Sequence, residues 1–378
     1  MRVAGAGTAT HAREDVEARP RDTAPATRRH RGRPARHRAD PASPAAGGEQ
    51  SDRSDETRFD PHGPIVGRRG NRARQLREPR SGGYRPGMRL DGIHHVTCIT
   101  GDAPRNVDYY TGTLGLRLVK KSVNQDDPTV YHLFYADDKG SPGSDITFFE
   151  YPGAAPGRAG AGMIHTVVWR VGSEEALDFW RDRAGSVPFA DPDGLQHDLV
   201  VATVPDAPLV ADHPEIPREL ALQGFEGVRA YARDPHANDA FLDALGFVDG
   251  ETRGASRRGW IRYEDAPAER GIPGAGTVHH VAWASPMDEH EAWRRRVIEA
   301  GGQPTPIIDR FWFRSIYFRE PNGVLFEIAT LGPGFAVDED PAHLGEELIL
   351  PPAFEHLRDR VEPLLTPLPD PRANWSRA

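Results

Sequence analysis

From Leu90 onward, apolar and polar positions follow one order that recurs four times: a short apolar strand, a polar break, an amphipathic helix stopping at glycine, then further strands. The first begins at GIHHVTCIT (92–100) and continues into APRNVDYYTGTLGL, where Val107, Tyr110 and Leu114 recur at helical spacing and Gly115 ends the helix. The second pairs MIHTVVWRV with SEEALDFWRDRAG, the third FEGVRAYAR with PHANDAFLDALGF, and the fourth TVHHVAWAS with MDEHEAWRRRVIEAGG. DPDGLQHDLV (191–200) closes the second segment and EPNGVLFEIA (320–329) the fourth, each a Pro-x-Gly turn feeding a last strand. Units that mix several strands with one helix read as duplicated βαβββ modules in an α+β fold, not as a solenoid. The expected division is 88–220 for modules one and two and 221–332 for modules three and four. Residues 333–378 form a Pro-rich tail with one helix.

Charge sets the first stretch apart. Residues 1–87 hold 19 Arg, no Lys and 11 acidic residues, whereas the whole chain has a formal charge of -9. The stretch has no periodic apolar pattern and cannot offset the entropy of ordering, so it reads as a disordered Arg-rich extension. Met88 directly precedes RLDGIHHVT, which makes Met88 the expected natural start and residues 1–87 an over-long gene model. Arg28-Arg29 is not followed by an apolar run, so no export signal is read there. The acidic remainder argues against a nucleic-acid partner, and no apolar run is long enough to cross a membrane. The single cysteine, Cys98, allows no intramolecular disulfide and fits a reducing cytoplasm; its bland reading is a small buried side chain.

The chemistry concentrates in modules one and four. HHVT (94–97) and HHVA (279–282) occupy equivalent positions, and Glu327 lies on the last strand among apolar neighbours. A carboxylate there is costly unless paired, protonated or metal-bound. With Pro321-Asn322-Gly323 as a three-residue loop and Gly323 left-handed, Tyr317 falls opposite Glu327 on the same face. Two imidazoles and a carboxylate are the donors of the facial triad of non-haem Fe(II) enzymes. The bland readings are an ordinary His-His pair and a Glu327 paired with Arg319 or Arg314. His132 reads as a satisfied core histidine before a pocket wall. In the middle modules Thr166 and Gly227 fall where a ligand would stand and Asp198 matches Glu327. Modules one and four should therefore hold the metal together.

HHVTCITGDAPRNVDYYTGTLGLRLVKKSVN, YHLFYADDKGSPGSDITFFEYP, HHVAWA, DRFWFRSIYFREPNGVLFEIAT and PGFAVDE together resemble the vicinal-oxygen-chelate superfamily, in its MhqO-like, hydroquinone-type ring-cleaving dioxygenase branch, over roughly residues 88–370. The resemblance implies modules pairing into two open barrel-like halves around a cavity. It implies Fe(II), or Mn(II), held by His95, His280 and Glu327, with His94, Thr97, His279, Arg310 and Tyr317 around them. It also implies a small aromatic substrate and O₂ as reactants. Exposed sheet edges in such modules point to a homodimer. The rival readings are a glyoxalase-type isomerase or thiol transferase of the same superfamily, and a non-catalytic protein that binds an aromatic drug. One tension stands: strict strand alternation turns His94 and His279 away from the ligands, so either the strands bulge there or these residues act at the pocket rim.

Overall fold

The computed structural model describes residues 87–372, so the disorder expected of the Arg-rich stretch falls outside the described residues, Gly87 apart. Along the chain run β1 (Ile93–Thr100), β2 (Arg117–Asn124), β3 (Asp127–Ala136), β4 (Asp145–Glu150), β5 (Met163–Val171), β6 (Phe189–Ala190) and β7 (Gln196–Val201). They are followed by β8 (Phe225–Ala232), β9 (Glu251–Arg253), β10 (Arg258–Asp265), β11 (Val278–Ser285), β12 (Ile308–Asp309), β13 (Arg314–Arg319) and β14 (Leu325–Thr330). The strands form two mixed sheets, ordered β12-β13-β14-β11-β1-β4-β3-β2 and β6-β7-β5-β8-β10-β9. The larger sheet takes its strands from both ends of the described chain and the smaller from the middle, so each draws on residues from both sides of position 220. With five short α-helices among the described residues, the fold is α+β.

The helices lie where the periodicity puts them. They are α1 (Ala103–Val107), α2 (Glu174–Ala184), α3 (Asp239–Leu245), α4 (His290–Glu299) and α5 (Arg358–Val361). Asp102 and Ser173 cap α1 and α2 through their side chains, and α2 and α3 end at Gly185 and Gly246 with φ of 81° and 90°. Helix α1 runs into a wider π-turn, Asp108–Thr113, which carries the buried Tyr110.

Alternation along the larger sheet separates two environments. Val96, Cys98, Val281, Trp283, Phe326, Ile328, Ile316 and Phe318 join the main core. Their neighbours on the other face include Phe134, Ala136, Ala282 and Ala329, which form a second, smaller cluster with Trp312, Phe313 and Phe335 inside the curl. His95, Thr97, His280, Tyr317 and Glu327 share that inner face by the same period of two.

The period breaks at two places on the central antiparallel pair. Ile93 pairs with Trp283 and His95 with Ala282; Thr97 pairs with His280 and Cys98 with Val278. His94 on β1 and His279 on β11 are therefore each the extra residue of a β-bulge. A bulge turns two consecutive side chains toward one side, which resolves the alternation problem. The smaller sheet repeats the device: the β5–β8 register skips His165 and Glu226.

The segment after β14 lies along the β2 edge. Lys121 and Leu348 form a parallel bridge, and Arg117 donates to Ala342 O. Lys120, fully buried, binds Asp338 at 2.7 Å and also pairs with Glu339, while Trp312 Nε1 donates to Asp338 at 2.9 Å. The tail thereby covers an otherwise open strand edge.

Candidate metal centre

His95 Nε2, His280 Nε2 and Glu327 Oε2 converge on one point. The two nitrogens are 3.3 Å apart, and Oε2 lies 3.1 Å from His95 and 2.9 Å from His280. Among the described residues they form a buried group whose geometry could hold a metal ion. Neighbouring ligands of an octahedral ion with bonds of about 2.1 Å lie about 3.0 Å apart, close to these separations. Oε2 is buried and, despite its two neighbours, makes no hydrogen bond of acceptable geometry. Burial alone would raise the Glu327 carboxyl, but the facing His95 and His280 hold it well below the usual carboxylate range, so it is ionised.

The hydrogen bonds behind the ligands fix which nitrogen carries the proton. His94 Nε2 lies 3.1 Å from the carbonyl of Thr330, which only accepts, so this nitrogen is the donor. Burial and the neighbouring His95 push His94 down to about 3, so its ring is neutral and Nδ1 is a lone pair. His95 Nδ1, 2.9 Å away, must then donate to it, which turns His95 Nε2 toward Glu327. His279 and His280 repeat the contact, Nδ1 to Nδ1, at 2.7 Å. Burial lowers His280, only partly offset by Glu327, which favours the neutral ring that binds metals. With both rings neutral, as metal binding requires, two nitrogen lone pairs and a carboxylate would face one another in a dry site, so this donor set fits a divalent metal.

Around the group, each side chain has a defined hold. Ser315 donates to Glu327 Oε1, which keeps Oε2 turned to the histidines. Tyr317 lies opposite Glu327 in the β13–β14 register, and the hairpin turns at Gly323 with φ of 102°, as the count along the chain predicts. Arg310 Nε donates to Tyr317 Oη at 3.3 Å, and its other two nitrogens grip Asp126 at 2.9 and 3.3 Å. Asp126 sits at the β2–β3 turn, so this pair joins opposite edges of the curled sheet. Burial raises the Tyr317 phenol despite Arg310, so the phenol is protonated. Thr97 Oγ1 is 2.8 Å from Thr147 Oγ1.

A cavity of about 650 Å³, counting its open mouth, has His95, His279, His280, Arg310 and Tyr317 on its wall, with Phe134, Phe149, Trp312 and Phe313 as apolar partners. Phe313 packs 5.1 and 5.2 Å from the His94 and His95 rings. All eight residues singled out from the sequence thus lie in or directly behind one site. Sequence reasoning missed Ser315, Asp126 and the aromatic wall, and it favoured the core reading for His132, which lines this cavity. Ser315 had a signal, since it shares a face with Tyr317 two residues on; Asp126 had none.

The smaller sheet shows the same frame without the donors. Thr166 and Gly227 occupy the positions of His95 and His280, and Asp198 binds Arg229 at 2.8 Å. A Cβ on Gly227 would stand 2.2 Å from the Trp260 ring, so no larger residue fits there without rearrangement.

Comparison with known proteins agrees with this geometry. Residues 92–187 match the model of the Glyoxalase/Bleomycin resistance protein/Dioxygenase superfamily. MhqA of Bacillus subtilis (strain 168), whose name provisionally describes it as a ring-cleaving dioxygenase, is 38% identical over 321 residues, 74% of this chain and 100% of the relative. The chlorohydroquinone/hydroquinone 1,2-dioxygenase of Sphingobium indicum is 32% identical over 314 residues, 72% of this chain and 95% of that protein. A crystal structure from Bacillus subtilis strain 168, provisionally titled a dioxygenase, superposes with a TM-score of 0.68 at 35% identity, covering 75% of this chain and 99% of that one. The chain belongs to the Glyoxalase/Bleomycin resistance protein/Dioxygenase superfamily, in its branch of ring-cleaving dioxygenases.

Proposed function

We propose that this chain is a non-haem Fe(II)-dependent dioxygenase that opens the ring of a hydroquinone- or catechol-type aromatic. The observation that carries the reading is the convergence of His95 Nε2, His280 Nε2 and Glu327 Oε2 at the wall of an aromatic-lined cavity. The similarity to a chlorohydroquinone/hydroquinone 1,2-dioxygenase supports the substrate class. Fe(II) held by these three residues, with Mn(II) as the other candidate, supplies an electron path between an aromatic hydroxyl and dioxygen. In the overall reaction one ring carbon–carbon bond breaks and both atoms of O₂ enter the product, so no further reductant is needed.

The chain's own residues prepare that reaction. His94 and His279 hold the ring protons of His95 and His280 on the far side from the site. His279, on the cavity wall, is the proposed contact for the substrate's hydroxyl, and the protonated Tyr317 phenol is the proposed donor to its oxygen. The Arg310 guanidinium, fixed between Asp126 and Tyr317, offsets negative charge that develops on the ring oxygen. Thr97 extends the polar row beside His95. Phe149, Trp312 and Phe313 flank an aromatic ring and keep water out. No helix among the described residues is long and apolar enough to cross a membrane.

The test is product analysis under ¹⁸O₂. The Fe(II)-loaded protein should convert hydroquinone or catechol to a ring-opened product carrying two labelled oxygens. Full iron occupancy with no ring-opened product from either substrate class would contradict the reading.

A further inference from the structure

The metal group occupies one end of the cavity. Behind its aromatic wall a polar row crosses three neighbouring strands of the larger sheet and reaches the cavity at His132. Thr97 on β1 meets Thr147 on β4 at 2.8 Å, and Thr147 Oγ1 meets His132 Nε2 on β3 at 2.9 Å. The His132 ring is clasped between Phe134 and Phe149, with centroids 3.9 and 4.4 Å away, so its orientation is fixed. It retains accessible surface and lines the cavity. Nε2 is committed to Thr147, which leaves Nδ1 as the second polar edge of the ring.

His132 is also kept neutral. Burial, reinforced by His95, His280 and Arg310, holds it well below the usual histidine range. A neutral ring offers one N–H and one lone pair, whichever tautomer it takes. That suits a phenolic hydroxyl, which both donates and accepts, and gives no charge to a carboxylate or an ammonium group. In the β1–β4–β3 register His132 pairs with Phe149 and Phe149 with Ile99, so His132 stands apart from His95 both across the sheet and four residues along β1, which leaves room for one aromatic ring between them.

We propose that His132 is a specificity-determining residue: its Nδ1 hydrogen-bonds the ring hydroxyl that lies opposite the hydroxyl directed at His95, His280 and Glu327. The cavity then selects para-dihydroxy rings over monohydroxy rings of the same size. The assignment rests on the ring-cleavage reading for the orientation of the substrate, but it can be measured by binding alone.

The experiment is anaerobic calorimetric titration of the Fe(II)-loaded full chain with hydroquinone and with phenol. A buried hydroxyl partner gives the wild type a preference for hydroquinone of about tenfold or more. His132→Phe keeps the packing between Phe134 and Phe149, and should abolish the preference while leaving phenol affinity and iron content unchanged. His132→Asn places an amide near the position of Nδ1 and should restore part of it. In oxygen uptake, His132→Phe should raise KM for hydroquinone with little change in kcat. A wild type without the preference, or a His132→Phe variant that keeps it, overturns the assignment. Tight, His132-dependent hydroquinone binding with no oxygen uptake would instead contradict ring cleavage and leave the assignment standing.

Discussion

His94 and His95 face each other Nδ1 to Nδ1 at 2.9 Å, and the opposite nitrogen of His94 donates to the Thr330 carbonyl at 3.1 Å. A backbone carbonyl on β14 thereby orients His95 on β1 through His94, and β14 also carries Glu327. The arrangement predicts that His94→Phe, which keeps the ring contact with Phe313 but removes both nitrogens, lowers iron affinity about 10- to 100-fold. Metal analysis after dialysis against a graded chelator checks this, with circular dichroism as the control for folding.

On the proposed reading Tyr317 and Arg310 act on charge, not on metal retention. Tyr317→Phe removes the Oη that Arg310 Nε reaches and should lower kcat about 100-fold with unchanged iron content and little change in KM. Steady-state oxygen uptake and metal analysis on the same preparation separate the two effects.

The convergence of His95, His280 and Glu327 was legible from the chain because each half-motif recurs at one place in a repeated frame, and the absence of both histidines from the middle segments pointed to the same pair of strands. The hairpin register was legible too, since Gly323 fixes the turn and counting back reaches Tyr317. The bulges at His94 and His279 were not, because a register shift belongs to two paired strands and neither sequence shows it alone. His132 was underestimated for a similar reason. Its own strand is apolar enough for core, and only curling of the sheet exposes one edge of the ring to a cavity. The Asp126–Arg310 pair joins residues 184 apart across that curl, with no local pattern to announce it.

In the smaller sheet His197 is buried, accepts from Trp169 Nε1 at 3.1 Å and meets Tyr110 Oη at 3.0 Å. Burial pushes it down to about 3. Below its unfolded value the unfolded chain binds a proton that the folded chain does not. The stability this group contributes is therefore complete above about pH 6.5 and is lost as pH falls toward 3, at about 1.4 kcal/mol per pH unit. Asp191, which accepts from Tyr110, is raised by burial to about 6 and works in the opposite sense, stabilising the fold as pH falls through 6. Comparison with His197→Gln isolates the histidine. Between pH 7 and 5 the variant should lose about 2 kcal/mol less stability than the wild type, measured by denaturant unfolding at both pH values.

Lys120 ties the tail to the sheet by a buried charge. Lys120→Met leaves Asp338 and Glu339 without their cation and should destabilise the protein by about 3–5 kcal/mol. Thermal unfolding measures the loss, and faster proteolysis around residues 335–350 should accompany it as the strap detaches from the β2 edge.

The central claim is that His95, His280 and Glu327 hold an iron that couples an aromatic diol to dioxygen. Oxygen consumption by the anaerobically purified, Fe(II)-loaded chain with hydroquinone and with catechol tests it most directly. The account predicts rapid uptake with at least one of them at one O₂ per ring opened, abolished by His95→Ala. No uptake from fully iron-loaded protein with either diol, or full uptake by His95→Ala, would contradict it.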